Sequence, residues 1–188
     1  MRQCSFRLEV DGGFLLLASL TGFLLGPGAL AGTVLAAAVH ELGHLAVILG
    51  QGSLPRRLRL ELSGASLFCE GREPDLREEL LRALSGPAAG LLLWAFLRLA
   101  SAPLLRKTAS LSLMLSLTNL LPASGLDGGR VLACLLAPLG ILRSERLMRL
   151  LSLFSALLSL LLGLLHSPQL FLYGAWLLLR TVGMCPSD

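Results

Sequence analysis

The sequence predicts an all-α polytopic membrane protein, with about six transmembrane helices and a small cytoplasmic β-hairpin between the second and third. Three observations predict it. Hydrophobic residues make up 54% of the 188 residues and charged residues only 15%, with a mean hydropathy of +0.75. Soluble domains run near a quarter charged, so this chain lacks the polar surface to cover a water-exposed globule. The apolar residues also gather in runs that approach the 20 or so residues needed to cross a bilayer. Finally, the basic residues fall mostly on one side of those runs.

The first run is Phe14 to Leu25, closed by Gly26-Pro27-Gly28. It has the length of a signal-peptide core, and Ala29-Leu30-Ala31 fits a cleavage site. Glu9 and Asp11 stand where such a leader is purely basic, so the segment is read as a retained helix. The second run, Ala29 to Leu49, contains His40-Glu41-Leu42-Gly43-His44. The third covers about Leu80 to Ala100, and the fourth about Ala109 to Ala137 with an interruption at Pro122. The fifth is about Leu147 to Leu165 and the sixth about Gln169 to Val182, joined by a turn at His166-Ser167-Pro168.

One sizeable polar stretch separates the second and third runs. Leu58, Leu60 and Leu62 alternate with Arg57, Arg59 and Glu61, the period of a strand. Ser63-Gly64 reads as a turn and Ala65 to Glu70 as a returning strand. Asp75 stands three residues before Glu78, the spacing of a capping box at the start of the third helix. As an exposed edge, this hairpin fits the docking of an extended peptide by main-chain bonds. As a basic loop, it equally fits a place on anionic lipid.

The arginines set the orientation. With the N-terminus in the cytoplasm, the inner segments hold Arg2, Arg7, Arg56, Arg57, Arg59, Arg72, Arg77, Arg82, Arg143, Arg146, Arg149 and Arg180, and the outer ones Arg98, Arg106 and Lys107. Both termini are therefore expected in the cytoplasm of a multi-pass protein, most simply in a bacterial inner or cell membrane. The net charge of +4 does not imply a nucleic-acid partner, because only 5% of residues are aromatic and no basic stripe interleaves with them. Cys4, Cys69, Cys134 and Cys185 are far apart and read as separate reduced thiols.

His40 and His44 are four residues apart, so on a helix they share a face and can reach one metal ion. Glu41 is adjacent on the turn and can act without ligating. This is the zincin arrangement, two histidine ligands and a carboxylate general base. Zinc lowers the pKa of a water and polarises a carbonyl, while Glu41 takes the proton and returns it to a leaving amine. Such a motif arises by chance in roughly half a percent of chains this long. Three ionisable groups in five residues of a span are also costly unless a partner compensates them, and a metal does so.

A catalytic zinc takes three protein ligands and keeps one open position. His166 stands at the far end of the fifth run, near the membrane interface. Asp127 is the better candidate, since it is the one acidic residue in the apolar runs besides Glu41. It lies where Pro122, Gly125, Gly128 and Gly129 break the helix, and broken backbone at membrane depth lines a cavity or is buried in protein. The competing reading is that Asp127 only caps the helix that resumes at Gly128. Depth favours the ligand reading. The histidine motif lies about eight residues, or roughly 12 Å, from the cytoplasmic end of its helix, and Asp127 is at a similar depth.

Together, the His40–His44 motif, Ser85-Gly86-Pro87-Ala88-Ala89-Gly90, and the stretch from Asn119-Leu120-Leu121-Pro122 to Asp127-Gly128-Gly129-Arg130 resemble the site-2 protease family of intramembrane metalloproteases. The resemblance covers about residues 30 to 137. It implies one Zn2+ per chain on His40, His44 and Asp127, with Glu41 as catalytic base. It implies that Asn119 positions substrate, and that Gly86, Pro87, Pro122 and Gly128 shape the backbone around the site. It also implies a single protease domain, residues 1–188, with its catalytic core at about 30–137 and additional helices at 143–184.

Six spans without a PDZ domain look like the branch of stage IV sporulation protein FB, which processes a sigma-factor precursor. Members of that branch carry a C-terminal CBS domain, and this chain ends at Asp188 without one, so control by ATP is not expected. Where many relatives carry Asn after the Gly-Pro of the third helix, Gly90 stands here. The expected function is regulated intramembrane proteolysis of a membrane-tethered regulator, a sigma-factor precursor or anti-sigma factor. Lipid and membrane inhibitor proteins are the other expected partners. The alternative is a membrane chaperone or scaffold that keeps the fold without the chemistry, which the intact Glu41 opposes. A transporter is a third class, and no inverted repeat supports it.

Overall fold

The computed structural model describes residues 7–61, 64–70, 72–139, 145–166 and 168–182. The chain is mostly helical and divides into two compact units, Met1–Asn119 and Leu120–Asp188.

The first unit begins with a short strand, β1 (Arg7–Val10), followed by α1 (Gly12–Leu25) and α2 (Pro27–Gly50). Gly26 has φ 83, a left-handed conformation that a side chain would disfavour. It reverses the chain, and Pro27 then opens α2 where a missing N–H costs nothing. The buried positions of α2 are Ala29, Gly32, Ala36, His40, His44 and Ile48, a single face at helical spacing. The opposite face carries exposed apolar residues, including Val34, Leu35 and Leu42. This inverts the pattern of a soluble protein and suits a helix whose outer surface meets lipid.

Strands β2 (Leu54–Glu61) and β3 (Gly64–Glu70) form the expected hairpin, and its turn lies outside the described residues. Leu58 pairs with Leu67 and Leu60 with Ala65, with an irregularity between Pro55 and Arg57. Pro55 has no N–H to give the ladder, which accounts for the break there. The sheet is larger than the sequence suggested, because β1 adds a third strand parallel to β2, with Arg7 opposite Arg57 and Val10 opposite Leu60. The N–H of Asp11 extends the pairing to Leu60 O at 2.8 Å. The α1–α2 hairpin returns the chain to the end it left, so residues some fifty apart in sequence can pair.

Helix α3 (Leu76–Leu97) opens on the predicted capping box. The Asp75 carboxylate accepts from Arg77 N and Glu78 N at 2.9 and 2.8 Å, and Glu78 Oε2 accepts from Asp75 N at 3.0 Å. Helix α4 (Pro103–Asn119) packs on both α2 and α3 through small residues. A Cβ on Gly32 would stand 2.8 Å from Thr108 Oγ1, and one on Gly90 would stand 2.2 Å from Ser116 Oγ. Ser112 Oγ donates to Gly90 O at 2.8 Å. Where apolar burial gives no advantage over lipid, close backbone approach and interhelical hydrogen bonds hold helices together.

The second unit starts with irregular backbone at 120–126, then α5 (Asp127–Leu136), a 3-10 turn (Ala137–Leu139), α6 (Glu145–His166) and α7 (Pro168–Val182). Its core joins Ala123 and Leu126 to Ala156 of α6 and Leu177 of α7. Gly163 and Gly174 let α6 and α7 meet backbone to backbone, since a Cβ on Gly163 would lie 2.1 Å from Phe171 N.

Among the described residues, three helices are long and apolar enough to cross a membrane: Pro27–Gly50, Leu76–Leu97 and Leu147–Leu165. Six had been expected. The first expected span is only 14 residues, about 21 Å of helix against a hydrocarbon core near 30 Å. The fourth is broken into pieces of 17 and 10 residues by the bend at Pro122 and Gly125. The sixth is a 15-residue helix.

Candidate metal centre

The helical spacing of His40 and His44 places their imidazoles together on the buried face of α2, 4% and 8% exposed. Their Nε2 atoms lie 3.1 Å apart and the ring planes are at 76°. His44 Nδ1 lies 2.7 Å from the carbonyl oxygen of Arg82 on α3. A carbonyl only accepts, so Nδ1 carries the proton and donates. The lone pair of His44 is thereby left on Nε2, the atom turned towards His40. Two imidazole nitrogens on one tetrahedral zinc, at Zn–N near 2.0–2.1 Å, would stand about 3.3 Å apart. The observed separation fits that requirement.

Helix α3 is shaped to let His44 sit there. A Cβ on Gly86 would fall 2.1 Å from His44 Nε2, inside the ring's own volume. A Cβ on Gly43 would fall 2.5 Å from Ser85 O and 2.7 Å from Ala89 Cβ. The two glycines, one on each helix, allow α2 and α3 to touch at the level of the motif. Pro87 follows Gly86 inside α3 and is buried with it. Ser85 Oγ donates to Arg82 O at 2.7 Å, so this carbonyl accepts from both the serine and the histidine. Glu41 is half-buried on the turn between the histidines. Asn119 ends α4 half-buried, with Nδ2 donating to Leu115 O at 3.0 Å.

In the second unit, Asp127 is the first residue of α5 and is 8% exposed. The N-cap is Leu126, with no side-chain capping bond, so Asp127 does not take the capping place that was its competing reading. Arg130 Nη1 lies 3.6 Å from Asp127 Oδ1, one turn along. Gly125 turns the chain with φ 83, and Gly128 is required by the backbone folded over it. A Cβ there would lie 2.1 Å from Leu120 O and 2.5 Å from Leu121 O. Pro122 is half-buried within that fold. Ser124 N donates to Ser152 Oγ at 2.8 Å, pinning the irregular segment to α6.

His40 and His44 in the first unit and Asp127 in the second are each buried, and imidazole nitrogens and a carboxylate oxygen are donor types that a metal ion takes. The site-2 protease from Methanocaldococcus jannaschii has a similar structure, with a TM-score of 0.71 and 25% sequence identity over 96% of this chain and 91% of that one. The likeness supports the site-2 protease family. It runs through nearly the whole chain, beyond the residues 30 to 137 in which the sequence resemblance lies. No family model matches the chain, and no curated protein matches it. At the family level, the likeness supports an integral membrane metalloprotease.

Sequence reasoning treated Arg82 only as a basic residue marking the cytoplasmic side. The structure finds it buried beside the motif, 7% exposed, with its carbonyl on His44. The available signal was an arginine four residues before Gly86, one helical turn away on the same face.

Proposed function

We propose that the chain is an intramembrane zinc endopeptidase that cuts a membrane-tethered regulatory protein. The observation that carries this reading is the convergence of His40 Nε2 and His44 Nε2 at 3.1 Å, with the His44 lone pair aimed into the gap by Arg82 O. The chemistry of the donor set supports one Zn2+ held by His40, His44 and Asp127. When bound, such an ion supplies Lewis acidity towards a carbonyl and an acidified water. Glu41 then holds a proton on its carboxylate and passes it to the departing amine. Asn119 spends one amide N–H on Leu115 O, and its remaining N–H is offered to substrate backbone.

The orientation proposed has both termini and the sheet on the cytoplasmic side. Pairing of β1 with β2 supports one part of it, a common side for the N-terminal strand and the hairpin, and the arginine distribution supports the choice of the cytoplasmic side. Helices shorter than the hydrocarbon core, α1, α4 and α7, complete six spans by local thinning of the bilayer, as mismatch permits. The whole chain is proposed to act as one protease domain in a bacterial cell membrane. The substrate class is a sigma-factor precursor or anti-sigma factor, as in the sporulation branch that the layout resembles. Membrane inhibitor proteins are the regulators such a site would need.

The metal is tested by zinc analysis of detergent-purified protein. The expected result is one zinc per chain, reduced in Asp127→Ala and lost in His44→Ala. Full zinc in Asp127→Ala would remove the aspartate from the ligand set, and no zinc in the wild type would end the metalloprotease reading.

A further inference from the structure

Arg82 is a charged side chain buried in the apolar third helix, and it does not belong to the proposed ligand set. Its guanidinium reaches away from the histidines to the segment that leaves α2. Nε donates to Gln51 Oε1 at 2.5 Å and Nη2 donates to Ser53 Oγ at 2.7 Å. Gln51 closes the link by donating from Nε2 to Glu78 O, one turn back on α3, at 3.1 Å. Ser53 is itself buried and is held to α2 by Ser53 N donating to Ile48 O at 3.1 Å. The backbone carbonyl of Arg82 itself accepts the Nδ1 proton of His44. One residue therefore clamps the C-terminal end of α2 through its side chain and orients a histidine of α2 through its main chain.

The two attachments are geometrically linked. His44 and Ser53 are nine residues apart along α2 and its exit turn, while Arg82 meets both from a single position on α3. Sliding or rotating α3 against α2 would have to disrupt the side-chain bonds to Gln51 and Ser53 as well as the carbonyl bond to His44. Gly43 against Ser85 O and Gly86 against His44 bring the two helices into close contact. The guanidinium adds directional bonds at the end of α2 to the one that His44 makes with Arg82 O. A buried guanidinium is costly, and two of its donors are met here by neutral oxygens of Gln51 and Ser53.

We infer that Arg82 is a positioning residue for His44: its guanidinium fixes α3 against the end of α2 so that its own carbonyl holds His44 in the Nδ1-protonated tautomer, with Nε2 free to ligate. The inference rests on the metal reading given above but makes a claim about the metal-free protein as well. Partners that orient a ligating histidine typically change metal affinity by about 10- to 100-fold when lost.

The test uses Arg82→Lys and Ser53→Ala, which keep a cation or touch only the far end of the clamp, with Arg98→Ala as control. Arg98 is exposed over the Trp94 ring at the other end of α3. Two quantities are read on full-length protein in detergent: zinc affinity by chelator competition, and the tautomer of His44 by 15N-histidine NMR after metal removal. The expected result is an affinity loss of about 10-fold or more in Arg82→Lys. A smaller loss is expected in Ser53→Ala, none in Arg98→Ala, and the His44 signal should move towards the Nε2-protonated form in the first two. Wild-type zinc affinity together with an unchanged Nδ1–H signal in both clamp variants overturns the inference while leaving the metal reading intact. A wild type that binds no zinc but shows the tautomer shift in the variants removes the metal reading and leaves the clamp.

Discussion

His44 is the residue on which most of the local geometry turns. It needs a donor-only Nδ1, a lone pair on Nε2, and space for its ring beside a neighbouring helix. Arg82 O provides the first, which fixes the second, and Gly86 provides the third. Gly86→Ala is therefore expected to displace the ring, because the new methyl would lie 2.1 Å from Nε2. Zinc content should fall well below that of the wild type, and full occupancy in a folded Gly86→Ala protein would contradict this placement. Gly128→Ala meets backbone rather than a side chain, 2.1 Å from Leu120 O, and the expected cost is roughly 1–3 kcal/mol or more of stability. Chemical denaturation in detergent measures it. The histidine pair was legible in the sequence, because helical period alone sets which residues share a face. Arg82 was not, because hydropathy and topology rules count an arginine without saying whether its head group is solvated or buried.

At the scale of elements, α3 is the best specified. Its capping box could be placed from sequence and forms as the spacing predicts, whereas its glycine contacts with α2 and α4 emerge only in the structure. The backbone N–H of Glu78 donating to Asp75, and more weakly that of Arg77 with the nearby Arg72 and Arg77 cations, holds its carboxyl below the usual carboxylate range. A group whose pKa is lowered on folding stabilises the folded state above its unfolded pKa, near 3.8, and loses that contribution as pH falls below it. The first turn of α3 should therefore fray below about pH 4. Hydrogen exchange at Arg77 and Glu78 measures this, and Asp75→Ala should weaken the pH dependence. Strand β1 shows where sequence reading stops. Four residues, Arg7–Val10, carry too short a pattern to declare a strand, and its partner lies beyond two helices. Non-local pairing leaves no periodic trace in either segment. The break between α4 and α5 was legible from Pro122 and Gly125, and so were the bounds of α1 and α7, read as Phe14–Leu25 and about Gln169–Val182 against Gly12–Leu25 and Pro168–Val182.

At the scale of the whole chain, within each unit and among the described residues, small and polar side chains such as Ala29, Ser112 and Ser155 are buried while many large apolar ones such as Phe23, Leu92 and Leu164 are exposed, as in a protein dissolved in lipid. Cys69 gives a native probe of orientation, since it is exposed on β3. Burial raises its thiol above the ordinary value, opposed by the Arg82 cation, so labelling by a maleimide should accelerate as pH rises. With the other cysteines replaced by serine, a membrane-impermeant maleimide is expected to label Cys69 in inside-out vesicles and not in right-side-out ones. The reverse pattern would place the sheet outside the cell.

The central claim is that this helix bundle hydrolyses peptide bonds with Glu41 as its base. The most direct measurement is cleavage of a membrane-tethered substrate in proteoliposomes by wild type and Glu41→Gln, compared at equal zinc content. The substrate is first found by co-expression with candidate tethered regulators. The account predicts a cut in the wild type and a rate at least about 100-fold lower in the variant, the usual scale for loss of a general base. Equal cutting by the two proteins, or no cut by zinc-loaded wild type across the tethered regulators tested, would contradict it.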